Sequence, residues 1–482
     1  MRRLEANGAF TVDDILGINI PGLSDEDSQT LRQLLAIWKE RLPKNLKRSL
    51  YYDAEQAFKD LGIALPPNMR NLKYVLGWPT KAVKEPAQRS VFEGFRRPGV
   101  DDPFELGETL VRNQFDLELG QGIISAYKHG CAFASVTKGL EGEPDVMIRF
   151  HAADVSAAIW DRRARRVKAA VTIGALHQEM PLDIVLFLPD KVVRATRTKT
   201  SKWQSVVIPN TLGVCPVVPI TYDPQLGQPF GRSRITNAVM NLGDMGVRTS
   251  ARMEGNAEFY SAPKIALLGV DEDAFDSSHS AKWSMAIDRI LAMSRDEDGN
   301  IPSLTQLTQA SMQPHSEMLR TLASAFAAET NLPLSSLGVL HDNPSSAEAI
   351  NASERDLVRL VRHQNRFVLG PELVELAGLA VMVRDGLQAP PADIYRLQAK
   401  WANPEFQSVS VLADAAMKIA SAWPMLALED DVLGMVFDDE AMERIRSSLT
   451  AQEANSVLSQ LLNPPAPEVG GSLEEEPDDL TI

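Results

Sequence analysis

Met318-Leu319-Arg320-Thr321-Leu322-Ala323-Ser324-Ala325-Phe326-Ala327 is the stretch from which the architecture of this 482-residue chain is read. Apolar pairs recur every four residues, which predicts a helix with one buried stripe. The helix is expected to stop at Asn331-Leu332-Pro333, because the residue before a proline is pushed out of the α region. Downstream, Asn343-Pro344-Ser345-Ser346-Ala347-Glu348 reads as a second helix start, with Ser345 as N-cap and Glu348 completing a capping box. That helix carries Ile350, Leu357, Leu360, Val361 and Phe367 at helical spacing. Between the two lies the loop Leu334–Asp342. A plain linker between two core helices has the same pattern, so periodicity gives the layout and not the role.

Working outward, residues 1–23 are weakly patterned. From Ser24 a helix is expected with Leu31, Leu34, Leu35, Trp38 and Leu42 on one face, and Ser24, Asp25 and Asp27 suit its positive N-terminus. A second helix is expected over Pro103–Lys128. Residues 131–220 break into short β-branched runs separated by turns: Ala132–Thr137, Val146–Phe150, Ala157–Trp160, Lys168–Ile173, Ile184–Leu188, Val192–Thr196 and Trp203–Ile208. These predict one largely antiparallel sheet. The run Arg162-Arg163-Ala164-Arg165-Arg166 falls at a hairpin tip, where a solvated turn is favoured over a nucleic-acid contact.

Leu212–Pro219 reads as an apolar strand. A helix is expected from Ser233 to about Tyr260, with Ile235, Val239, Leu242 and Met245 on its stripe and Gly243, Gly246, Ser250 and Gly255 in its later half. Interior glycines cost about 1 kcal/mol each relative to alanine, which close approach of a neighbouring helix would justify; a weak or broken helix is the alternative. Residues 261–312 form an insert with strands at Lys264–Leu268 and Arg289–Met293. After Asp385 helices are expected at Asp393–Trp401, Gln407–Ala420, Asp430–Phe437 and Glu440–Leu462. The acidic end, with Glu474-Glu475-Glu476-Pro477-Asp478-Asp479, predicts a disordered tail.

The formal charge of −15 argues against a surface that grips phosphate throughout. It leaves room for a protein past which DNA slides. Cys131 and Cys215 are expected as buried small hydrophobes in a reducing compartment. No apolar run reaches the roughly 18 residues a membrane span needs, and Met1-Arg2-Arg3-Leu4-Glu5 is not followed by a signal-peptide core. The seven histidines show no metal-ligand spacing, and there is no Cys-x-x-Cys, His-Glu-x-x-His or Gly-x-Ser-x-Gly. Gly227-Gln228-Pro229-Phe230-Gly231-Arg232-Ser233 lacks the lysine and spacing of a P-loop. Asp296-Glu297-Asp298-Gly299-Asn300 lacks the sixth-position glycine and the closing glutamate of a calcium loop. No cofactor is implied, and a structural or assembly role is favoured over catalysis.

Several stretches, in order, are similar to tailed-bacteriophage portal proteins of the type frequent in siphophages of actinobacteria. They are Leu212-Gly213-Val214-Cys215-Pro216-Val217-Val218, Phe230-Gly231-Arg232-Ser233-Arg234-Ile235, Ala262-Pro263-Lys264 with Leu268-Gly269-Val270-Asp271, and Leu332-Pro333-Leu334-Ser335-Ser336-Leu337-Gly338 followed by Asn343–Ile350. The resemblance covers about 50–460. It implies an α+β portal fold with an α/β wing, a two-helix stem, a small α/β clip, a helical crown and the disordered acidic tail 463–482. By position, 1–23 is an arm, 24–231 with 346–385 the wing, 232–260 and 313–331 the stem, 261–312 the clip, 332–345 the tunnel loop and 386–462 the crown.

What it further implies is a homo-oligomeric ring, typically of twelve copies, at one capsid vertex in the virion, built in the host cytoplasm. Double-stranded DNA passes through it without sequence readout. The large terminase and then the head–tail adaptor dock on the clip, and major capsid and scaffolding proteins assemble around the ring. Ser335, Ser336, His341, Asp342 and Asn343 are the implied channel residues. Ile235, Val239, Leu242, Gly246, Leu319, Leu322 and Phe326 are the expected stem packing. Asp271, Trp283, Asp296 and Asp298 are the expected clip surface. The rivals are another virion component, such as an adaptor or capsid protein, and an enzyme with scattered catalytic carboxylates.

Overall fold

The computed structural model describes residues 18–56, 74–100, 102–177, 180–197, 202–261, 265–268, 303–306, 311–338, 347–405 and 409–423, with single positions between 432 and 448. The chain divides into two units, Met1–Pro404 and Glu405–Ile482. In the second, α9 spans Val409–Ala422.

The first unit is layered, and its strands show why. Helix α1 (Asp25–Tyr52) opens on a capping box in which the Asp27 N–H donates to Ser24 Oγ while Asp27 Oδ2 accepts from the Ser24 N–H. Its Leu31, Leu34, Leu35 and Trp38 lie against Ala157, Ala169, Val171 and Ile173. Those residues sit on one face of a five-stranded antiparallel sheet of β4 (Ser156–Asp161), β5 (Arg166–His177), β6 (Met180–Phe187), β7 (Lys191–Arg197) and β8 (Trp203–Pro209), in sequence order. The opposite face, with Val167, Ala170, Phe187 and Val192, meets Cys131, Phe133 and Val217 of a second sheet. That sheet is β3 (Val146–Ala152), β2 (Cys131–Lys138) and β9 (Val217–Thr221), all antiparallel, with β2 central. Alternation along β2 sends Ala132, Ala134 and Val136 the other way, into the largest core. There they meet α4 (Phe115–His129) and α8 (Gly370–Asp385).

Each expected strand of 131–208 is present, but in two stacked sheets instead of one. The switch comes at Ala153–Val155, between β3 and β4. The helix expected over Pro103–Lys128 is broken into a 3-10 turn (Pro103–Glu105), α3 (Leu106–Arg112) and α4, with Gln114 left-handed at φ +50°. The break serves Asn113, whose side chain donates to Val146 O and accepts from the Ile148 N–H, both at 2.8 Å. It thereby ties the helix junction to β3. Cys131 and Cys215 are free and buried, as expected.

The stretch Asp393–Trp401, read as helix, is a 3-10 turn (Ala392–Arg396) followed by strand β12 (Gln398–Trp401). This strand pairs antiparallel with β1 (Phe92–Arg96). Ile394 and Leu397, spaced as on a helix, are buried instead by the turn and the strand start, in the same core as α8. Residues 386–404, assigned by position to the crown, therefore belong to the first unit. Helix α7 (Ala347–Gln364) runs into α8 through a π turn at Asn365–Leu369, and Phe367, expected on its apolar face, is 62% exposed.

Candidate functional site

Two helices leave the layered body side by side. Helix α5 (Asn237–Ser261) and helix α6 (Gln313–Thr330) run antiparallel. Near the body Thr236 Oγ1 lies 3.5 Å from Glu329 Oε1, and near the far end Asn256 Nδ2 lies 2.6 Å from His315 Nε2. At ~1.5 Å per residue the longer helix extends about 38 Å. Beyond the far end, β10 (Ile265–Leu268) pairs antiparallel with β11 (Ser303–Gln306). The other strand expected in this insert, Arg289–Met293, lies outside the described residues.

Val239 of α5 and Leu322, Ala323, Phe326 and Ala327 of α6 form one buried cluster, with Leu242 and Leu319 at its edge. Trp78, at the start of α2 (Trp78–Gln88), joins it with its ring 5.5 Å from that of Phe326. Gly246 faces this tryptophan. A Cβ there would sit 2.6 Å from Leu76 Cδ2 and 3.0 Å from Trp78 Cζ3, so the glycine admits the segment that begins α2, not α6. Ile235 precedes the helix and packs in the main core. The helix itself is capped by Thr236, whose Oγ1 accepts from the Val239 N–H at 3.2 Å. The start expected at Ser233 is thus four residues early, because Ser233, Arg234 and Ile235 are held in other contacts.

Those contacts give each residue of Phe230–Ile235 a task. Phe230 meets Phe133 and Trp160 edge-on, with centroids 5.6 and 5.8 Å apart. Gly231 has φ +69°, and a Cβ on it would lie 2.3 Å from Tyr222 O and 2.5 Å from Gly130 O. Arg232 pairs with Asp223 at 2.6 Å. Ser233 Oγ donates to Lys128 O at 2.6 Å, at the end of α4, and accepts from the Ile235 N–H.

Arg234 is 7% exposed. Its guanidinium donates to Ala82 O in α2, to Thr330 O at the last residue of α6, and to Tyr222 Oη at 2.9 Å. It also lies 5.5 Å from the centre of the Tyr222 ring. No carboxylate lies within ion-pair distance of it among the described residues. The C-terminal dipole of α6, an aromatic face and three oxygens take that place. One side chain thus fixes the entry of α5, the exit of α6, α2 and the end of β9. A cation flanked by Ser233 and Ile235 was the available sign, and periodicity reads it as surface.

The loop after α6 starts from the same cluster. Asn331 closes the helix in the left-handed region at φ +54° and donates to Ala327 O. Leu332 and Leu337 are buried with Leu357 and Val361 of α7, so both arms of the loop share one core. The 3-10 turn Leu334–Leu337 leaves Ser335 exposed and Ser336 half-buried before Gly338 at φ +79°. His341, Asp342 and Asn343, and the clip residues Asp271, Trp283, Asp296 and Asp298, lie outside the described residues.

Two further buried links escaped the sequence reading. Tyr51 Oη donates to Asp244 Oδ2 at 2.9 Å, joining α1 to α5. Glu372 of α8 accepts from the Thr221 N–H at 3.0 Å and from its hydroxyl, while Gln364 Nε2 donates to Thr221 O at 2.6 Å. Burial raises the Glu372 carboxyl well above its ordinary value, against the lowering effect of the Thr221 bonds. No group of three metal-ligating side chains occurs among the described residues, and no described helix is long and apolar enough to cross a membrane.

The first unit thus joins a layered α/β body to an antiparallel helix pair followed by a two-stranded ribbon. The chain belongs to the phage portal proteins: the family described as "Phage portal protein, SPP1 Gp6-like" matches residues 31–447. The portal protein of Mycobacterium phage L5 is 29% identical over 413 residues, covering 83% of this chain and 84% of that one. That of Mycobacterium phage D29 is 28% identical over 380 residues, 77% of each. Among solved structures, a chain in the neck of a native gene transfer agent particle computed with C12 symmetry matches with TM-score 0.43 and 13% identity, over 81% of this chain and 98% of that one.

Proposed function

We propose that copies of this portal chain close into a ring of about twelve at one capsid vertex of the virion, with closed cyclic symmetry. In this reading α5 and α6 are the stem around a central channel and the segment 261–312 is the clip. That clip takes the large terminase during filling and the head–tail adaptor afterwards, while capsid and scaffolding proteins build around the body. The segment 332–345 is the loop that narrows the channel, where Ser335 and Ser336 with His341, Asp342 and Asn343 touch the DNA backbone without reading bases. ATP hydrolysis falls to the terminase.

The observation that carries this reading is the anchoring of the helix pair. Both helix roots and both arms of the loop converge on Arg234 and on the core around Trp78 and Phe326. In this reading, force applied at the far end or on the loop passes into the layered body through these contacts. Deletion of residues 339–342, which spares the buried Leu337, tests the loop's part in it. Ring assembly is expected to persist while DNA packaging or retention fails. A deletion mutant that packages at the normal rate and holds its genome contradicts the loop's role.

A further inference from the structure

A cleft of about 1850 Å³ opens in the first unit, between α8 with β12 on one side and the β4–β5 hairpin tip with the loop 210–215 on the other. Neither the anchored helix pair nor the loop uses it. Its apolar lining includes Val374, Met382, Ile394, Leu397 and Trp401. Its charged lining is unlike the rest of a chain carrying −15. Arg96, Arg165, Arg166, Arg362, Arg366 and Lys400 oppose only Asp190 and Glu375. Of these cations, Lys400 reaches Glu93 at 3.4 Å and Arg362 reaches Asn403 at 2.9 Å. All six are exposed.

One further feature specifies the occupant. Strand β12 belongs to a two-stranded ribbon with β1, so its outer edge is open among the described residues, and all four of its residues line the cleft. An open edge is a template for another strand, and a peptide backbone supplies the matching donors and acceptors. A duplex offers phosphates to the arginines but nothing to the apolar floor or the strand edge.

We propose that this cleft receives an extended acidic peptide of a partner protein. The peptide adds as a strand along β12, with alternate carboxylates on Arg165, Arg166 and Arg366 and alternate apolar side chains over Trp401 and Ile394. The inference holds whether or not the chain closes into a ring.

The test titrates the full chain into a fluorescent peptide of about ten residues that alternates glutamate with valine, roughly the length of a long strand. A peptide with lysine for glutamate and a short DNA duplex run alongside. Anisotropy is expected to show binding of the acidic peptide at least about tenfold tighter than of either control. The double variant Arg165→Glu/Arg366→Glu should weaken it about tenfold or more. Arg163→Glu, an exposed site on the same hairpin but off the cleft, should leave it within about twofold. Amide exchange over 398–401 should slow when peptide is present. Equal binding of both peptides, tighter binding of the duplex, indifference to the double variant, or unchanged exchange over 398–401 each overturns the proposal.

Discussion

Replacing Arg234 tests whether the helix pair is rooted as described. In Arg234→Ala the acceptors Ala82 O and Thr330 O lose their donor inside a core where water does not reach the 7%-exposed site. Each stranded acceptor costs about 1–3 kcal/mol. The lost contact with the Tyr222 ring adds about 0.5–2 kcal/mol. Against this, the variant no longer buries a charge without a carboxylate partner, which offsets part of that loss. A net loss of about 3 kcal/mol is expected. Arg234→Lys keeps the charge but not the three-way fork, and should lose about 2 kcal/mol. Urea unfolding followed by tryptophan fluorescence gives the total. Hydrogen exchange gives the location, because amides of 327–337 should open faster while those of β7, on the far sheet, should not. A loss under about 1 kcal/mol in Arg234→Ala, with exchange over 327–337 unchanged, refutes the anchor.

Two glycines separate hard from soft close approach. Gly231→Ala forces a Cβ against two backbone carbonyls at positive φ and should cost over about 3 kcal/mol or prevent folding. Gly246→Ala meets side chains that can shift and should cost about 1–3 kcal/mol, partly recovered by Leu76→Ala. Urea melts of both variants check the order, and a cheaper Gly231→Ala contradicts it. Glu372 sets a pH dependence: its folded carboxyl is raised above 4.5, so the protonated form is favoured in the fold. Its stabilisation is complete below about pH 4.5 and is lost as pH rises through the folded value. Glu372→Gln keeps an acceptor for Thr221 and should gain on the parent as pH rises from 4.5 towards the folded value, whereas a difference that does not change above pH 4.5 excludes the carboxyl as the cause.

The parts legible in sequence are those whose signal is local. Ser24 with Asp27 announces α1, and β-branched alternation places every strand from β2 to β8 within a few residues. The helix–insert–helix–loop–helix order around Phe326 is likewise readable from its stripe. The parts that escaped depend on contacts far along the chain. Nothing near Ile394 and Leu397 says that the next four residues pair with β1, some 300 positions earlier. Asn113 breaks a good helical pattern only because β3 offers it two backbone groups. Gly246 did signal a close neighbour, but the neighbour is Trp78 and not the partner helix. Arg234 is the instructive case: charge puts it outside, and only the arrangement of Ala82, Tyr222 and Thr330 explains it inside.

The ring is the central claim, and native mass spectrometry of the purified chain, paired with negative-stain imaging, tests it most directly. A closed assembly of about twelve subunits with a central channel is predicted. A chain that stays monomeric or dimeric in every condition, with its partner proteins present, contradicts it.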